Sequence, residues 1–169
     1  MTQNQITERV QGWVTAMPMA QTLDLRFVEI GVGLVVLEMP ILPQFCFRPG
    51  QLQATAVFAI ADFSAAAAAA TTLPLGWSNA AIDATLKLVA PAMGARLRSR
   101  GRVVHASRLL TLCAADVFAV DEQEQETLCA TLLGTTRNFE LKCWTVPSFP
   151  FEFTPPADQC RGAGRACDI

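Results

Sequence analysis

The sequence predicts an α+β domain: a curved antiparallel sheet of five or six strands wrapped around one long buried helix, preceded by a short N-terminal helix. Three observations predict it. Residues 51–72 are apolar and rich in alanine, the residue of highest helix propensity, with alanines throughout 65–70. A strand-like stretch, 25–39, precedes that segment. Four strand-like runs, roughly 78–90, 96–105, 109–120 and 126–139, follow it. A helix this thin and this apolar needs something larger around it.

In chain order, residues 6–17 read as a short amphipathic helix, with Val10, Trp13, Val14 and Met17 at helical spacing and Pro18 to stop it. In 25–39, Arg26, Val28 and Ile30 alternate against Phe27 and Glu29, and Gly31 and Gly33 mark a bend or hairpin turn. Pro40, Pro43 and Pro49 enforce a loop that closes on Arg48-Pro49-Gly50. Pro74 and Gly76 end the long helix, while Pro91, Gly94 and the acidic turn DEQEQE separate later strands. The domain is expected over 1–139. Residues 140–169, with four prolines and the aromatic run WTVPSFPFEF, read as a partly packed extension with a mobile end.

Composition excludes several classes. A net charge of −2 gives no basic face for nucleic acid. The longest apolar stretch is interrupted by Asp62, Ser and Thr, so it reads as a buried helix and not a membrane span. The N-terminus lacks a basic region followed by an apolar core, which points to the cytoplasm. Six cysteines without a CxxC pair, and a single histidine, argue against zinc; Cys113 and Cys129 read as small buried hydrophobes, and Cys160 and Cys167 receive no role.

The stretch RPGQLQATAVFAIADFSAAAAAATTLP, followed by AAIDATLKLVAPAMGARLRSRGRVVHASRLL, resembles the hot-dog thioesterase superfamily, and within it the PaaI-type, phenylacetyl-CoA thioesterase-like branch. The likeness covers roughly 17–139. It runs through Gly50, Gln53, Ala54, Thr55, Asp62, Asp83, Pro91, Ala92, Gly94, Leu97 and Arg108. The family's His-Gly-Gly is replaced here by Gln53, Ala54 and Thr55, and Ser107 stands for the glycine before Arg108.

The resemblance implies acyl-CoA thioester hydrolysis in a homodimer or dimer of dimers. Coenzyme A would be part of the substrate, and no separate cofactor would be needed. Amide groups at a helix start lack intrahelical partners and carry partial positive charge, so those of Ala54 or Thr55 are candidates to polarise the thioester carbonyl. Asp62 would be the base or nucleophile; it is the only charged residue between Arg48 and Asp83, and a carboxylate is costly in an alanine-rich helix unless used or paired. The bland alternative has Asp62 satisfied by Ser64, Asn79 or backbone. Nine residues at about 100° each turn Gln53 and Asp62 to opposite sides of the helix, so they can share a site only across a two-fold axis.

Gln53 cannot act as a base but can hold water or a thioester oxygen. Gly50, Asp83, His105 and Arg108 are the remaining candidate substrate contacts. The turn around Arg108 is the one the resemblance assigns to coenzyme A phosphates, with His105 beside it. Arg96, Arg98, Arg100 and Arg102 share one strand face, either solvated or clamping phosphate. Two competing readings remain: a non-catalytic module that binds acyl-CoA or dimerises, and a dehydratase, for which no suitable histidine is present.

Overall fold

The computed structural model describes residues 2–141. Its elements are α1 (Gln3–Ala16), α2 (Pro18–Thr22), β1 (Arg26–Gly31), β2 (Leu34–Pro40), β3 (Cys46–Arg48), β4 (Gln51–Leu52), α3 (Ala54–Thr71), β5 (Trp77–Leu88), β6 (Arg96–Ala106), β7 (Leu110–Val120) and β8 (Glu126–Glu140). Six strands form one antiparallel sheet in the order β1-β2-β6-β7-β8-β5, and α3 packs on its inner face. The last four strands fall within about two residues of the expected runs, because proline, glycine and acidic turns set their ends. Most of α3 is buried under the sheet, although it is long and apolar enough to cross a membrane.

Two expectations need correction. The long helix begins at Ala54, not at 51, because Gln51 and Leu52 pair with Arg48 and Cys46 in a small hairpin turned by Gly50 at φ +74. The alternation in 26–30 is also broken: the register shifts between Phe27 and Glu29, so Phe27 and Ile30 both pack on the core.

Two close contacts fix α3. Ser64 carbonyl oxygen lies over Gly101, where a Cβ would come within 2.1 Å of it, so only glycine lets helix and sheet approach this closely. Beside it the Ser64 and Ser99 hydroxyls meet at 2.7 Å. At the other end, the buried Arg9 of α1 donates to the carbonyls of Ala70, Leu73 and Pro74, at 2.7, 3.1 and 3.0 Å. It places a cation at the negative end of the α3 dipole, on carbonyls that have no i+4 helical partner.

The outer sheet face carries a ladder of ion pairs. Glu38 receives Arg96 at 3.0 Å and Arg98 at 2.5 Å; Glu126 receives Arg98 and Arg100 at 2.6 and 2.7 Å; Arg96 also meets Glu124; and Arg102 meets Asp116 at 2.9 Å. The four arginines do share a face, as their spacing predicts. Their charges are paired with acids on β2, β7, β8 and the β7–β8 turn, which favours a structural role for this row. Residues 142–169, including the aromatic run and Cys160 and Cys167, lie outside the described residues.

Candidate active site on the open face of the central helix

Helix α3 packs most extensively against β6, β7 and β2 and keeps one stripe at least partly exposed. Thr55, Phe58 and Asp62 lie along that stripe. Seven residues at about 100° bring Asp62 to within about 20° of Thr55, two turns and about 10.5 Å further along. The helix begins after Gln53, whose extended backbone places it at the N-cap; its side chain makes no capping bond. The opposition of Gln53 to Asp62 assumed that Gln53 was helical, and it is not. Thr55 is the residue whose direction matters.

The start of α3 is chemically open. The Gln53 carbonyl accepts from Ala56 and Val57, at 3.0 and 3.3 Å, and its N–H donates to Phe45. Among the described residues, the amides of Ala54 and Thr55 have no acceptor, and both residues are exposed. Two donors therefore sit at the positive end of an eighteen-residue helix, facing solvent.

Asp62 is half-buried and makes no hydrogen bond or ion pair with any described residue. The two partners considered for it are engaged elsewhere. Ser64 Oγ donates to the Ala61 carbonyl or pairs with Ser99, and Asn79 Nδ2 donates to the Ala66 carbonyl at 3.0 Å. Burial raises the Asp62 pKa above the ordinary aspartate value. Its charge reaches the inner face of β7, where the Cys113 thiol is pushed up to about 11 by burial and, less, by Asp62. Cys113 and Cys129 are both buried, as expected of small core residues.

Beside the helix start lies an apolar cleft of about 350 Å³, walled by Ala54 and Val57, by Phe47 and by residues 88–92 at the end of β5 and in the loop after it. Sequence reasoning missed Phe47 and Phe58. Phe58 was legible in principle, since it stands three residues after Thr55 and four before Asp62; Phe47 reaches the cleft only through the hairpin of β3 and β4.

The other candidates are not gathered here within one chain. Gly50 sits at the exposed hairpin tip, near the helix start. Asp83 is exposed on β5, on the face opposite the one where Ala84 and Leu86 pack toward the core, so it is turned away from α3. His105 and Arg108 are exposed at the end of β6 and in the turn after it. Thr72, just past the end of α3, touches the same hairpin turn as Val103, and Leu52 bonds to Ala92 at the helix start. His105 and Arg108 therefore lie at the opposite end of α3 from Ala54. No group of three or more His, Cys, Asp or Glu side chains suited to a metal occurs among the described residues.

No protein-family model and no curated protein matches this sequence. Solved structures do. A thioesterase family protein from Silicibacter pomeroyi superposes with a TM-score of 0.77 at 24% identity, covering 80% of this chain and 98% of that one. The E. coli PaaI protein of the phenylacetic acid degradation operon gives 0.71 at 16% identity, over 82% and 96%. A thioesterase from Haemophilus influenzae gives 0.68 at 16% identity, over 83% and 92%. With the sheet order and the single wrapped helix, these likenesses establish the architecture: the chain has the hot-dog fold found in thioesterase-family structures, PaaI among them.

Proposed function

We propose that this protein hydrolyses acyl-CoA thioesters, with medium-chain or aromatic acyl groups, at sites shared between two copies. One observation carries the reading: an unpartnered carboxylate and two unpartnered amides lie on the same open helix face, about two turns apart. Within one chain they are too far apart to act on one carbonyl. A two-fold axis perpendicular to α3 would run the two helices in opposite directions and could bring Asp62 of the partner subunit to the start of α3.

The amides of Ala54 and Thr55 would accept the carbonyl oxygen and stabilise the negative charge that grows there as the carbonyl is attacked. The partner's Asp62 would take a proton from water, or attack the carbonyl itself, expelling the thiolate and leaving a mixed anhydride that water then hydrolyses to the free acid and the restored carboxylate. In the water route the hydroxide adds to the carbonyl carbon, the C–S bond breaks, and the thiolate leaves and is protonated to the free thiol. A raised pKa makes Asp62 a stronger base than an ordinary aspartate. Gln53 would hold the water or the thioester oxygen. The apolar cleft beside Ala54 suits the acyl group. Arg108 and His105 of the partner subunit, and not those of the same chain, would be the candidates for coenzyme A phosphate. The thioesterase names of the structural neighbours support this reaction class.

The replacement of His-Gly-Gly by Gln53-Ala54-Thr55 favours a second reading, in which the same surface binds acyl-CoA without turning it over, because two added side chains crowd the approach to the amides. Purified protein given a panel of acyl-CoAs with a thiol-detecting reagent separates the two. Thiol release that disappears in Asp62→Ala supports hydrolysis. Binding without release supports the second reading, and equal release by both proteins removes Asp62 from the mechanism.

A further inference from the structure

We infer that Phe47 limits the length of the acyl group: its ring is the wall that ends the acyl cleft, and behind it lies a second cleft that a longer chain would enter. This rests on the preceding reading and adds to it the residue that sets chain length.

Two clefts flank the hairpin of β3 and β4. The first, of about 350 Å³, is the one beside Ala54 and Val57. The second, of about 500 Å³, is lined by Ile41, Pro43, Cys46, Arg48 and Gly94. Phe47 is the one described residue that lines both. The first volume lies near the lower end of the range for ligand pockets, roughly 300–1,000 Å³, and the two joined would hold a much larger group.

The pairing of the hairpin explains why a ring stands there. Cys46 pairs with Leu52 and Arg48 with Gln51, so Phe47 is an extra residue with no partner across the hairpin. A bulge of this kind re-aims the side chain it carries. Cys46 packs against the core, whereas Phe47 is 58% exposed and stands outside it.

The backbone around Phe47 is held without help from its ring. Leu52 donates to the Ala92 carbonyl at 3.1 Å, Gln53 donates to that of Phe45 at 2.9 Å, and Gln51 bridges to Met93. Arg48 is tied to Gln51 at 2.7 Å, and its guanidinium lies 5.4 Å from the centre of the Phe47 ring. Cutting the ring back therefore removes the partition and leaves its supports in place.

The proposed chemistry gives the chain its direction. Ala54 lines the first cleft, so a carbonyl held by the amides of Ala54 and Thr55 lies at its mouth. The acyl chain then runs along Val57 and Leu52 and meets Phe47. A buried methylene is worth about fourfold in affinity, so binding climbs with chain length only until the ring is reached.

Binding of straight-chain acyl-CoAs, from butanoyl-CoA to tetradecanoyl-CoA, tests this. Calorimetry on Asp62→Asn protein, with and without Phe47→Ala, reads affinity free of turnover. With Phe47 present, affinity should rise with each methylene and then stop rising. Phe47→Ala should move that stop to longer chains and raise the ratio of tetradecanoyl to hexanoyl affinity about tenfold or more, the worth of roughly two further buried methylenes. Phe47→Leu should move it less. Pro43→Trp added to Phe47→Ala refills the second cleft and should bring the stop back. A stop at the same chain length with and without the ring, or an affinity lowered equally for every chain, would overturn the role of Phe47 and leave thioester hydrolysis to be judged by its own assay. A Pro43→Trp double variant that keeps the full gain would overturn the second cleft as the route. Binding of no acyl-CoA, by this protein or by the wild type, would overturn the inference and the proposed function together.

Discussion

Thr55 and Asp62 stand two turns apart on the same open side of one helix, the first beside unpaired amides and the second a carboxylate with no partner among the described residues. Electropositive and electronegative ends of one surface stripe are complementary to the same stripe turned around. This relation makes a two-fold assembly chemically useful here, and it yields consequences for stability as well as catalysis.

The first concerns the cost of Asp62. Burial raises its pKa, so the folded chain holds the proton more tightly than the unfolded chain does. Ionisation therefore costs stability, beginning as pH rises through the ordinary aspartate range near about 3.9 and complete above the folded-state value. At concentrations where the chain is monomeric, Asp62→Asn should melt higher than wild type at pH 7, and the advantage should vanish near pH 3. Thermal melts across pH check this. An Asn variant that is less stable at pH 7 would mean that the carboxylate is satisfied within its own chain.

The second concerns the seat of the helix. Gly101→Ala would drive a methyl into the Ser64 carbonyl and push α3 off the sheet. Overpacking of this kind costs about 3 kcal/mol or more where backbone must move. Chemical denaturation should show that loss, and the surviving folded fraction should have reduced activity, because Asp62 rides on the same helix.

The third concerns the outer ladder. Arg100 and Arg98 hold the Glu126 carboxyl below its ordinary value, and the bonds from Arg96 and Arg98 outweigh burial to do the same for Glu38. A lowered carboxylate pKa contributes stability that is present above the usual range and lost as pH falls through the folded-state value. Glu126→Gln should cost about 1 kcal/mol at pH 7, and the difference from wild type should fade below about pH 4. Urea titrations at the two pH values measure it. Thioesterase activity should be unaffected, since the ladder faces away from α3.

Much of this fold was legible because its punctuation is local. Pro91 and Gly94 before β6, and the acidic turn before β8, end strands wherever they stand in space. What depends on distant pairing was not legible. Pro49-Gly50 marks a turn, but no local signal says that Gln51 pairs back with Arg48 and delays the helix by three residues. Arg96 and Arg98 look free in sequence because Glu38 lies some 60 residues away and meets them only through the β2–β6 register. Arg9 likewise reads as an ordinary helix-surface charge until the end of α3 arrives above it. Asp62 stands out in the sequence because isolation in a long apolar segment is itself a sequence property.

The central claim is that each site draws its amides from one chain and its carboxylate from the other. Complementation within mixed dimers tests it most directly. Asp62→Asn removes the carboxylate, and Thr55→Trp blocks the helix start without touching the core. Each variant alone should hydrolyse acyl-CoA at about 1% of the wild-type rate or less, an expected loss of about 2.7 kcal/mol or more in barrier stabilisation. Dimers co-expressed with two tags and purified for one copy of each should regain roughly half the wild-type rate, because one of their two sites is then intact. Mixed dimers no more active than either parent, from a wild type that is itself active, would place the amides and the carboxylate of each working site in the same chain and contradict the account.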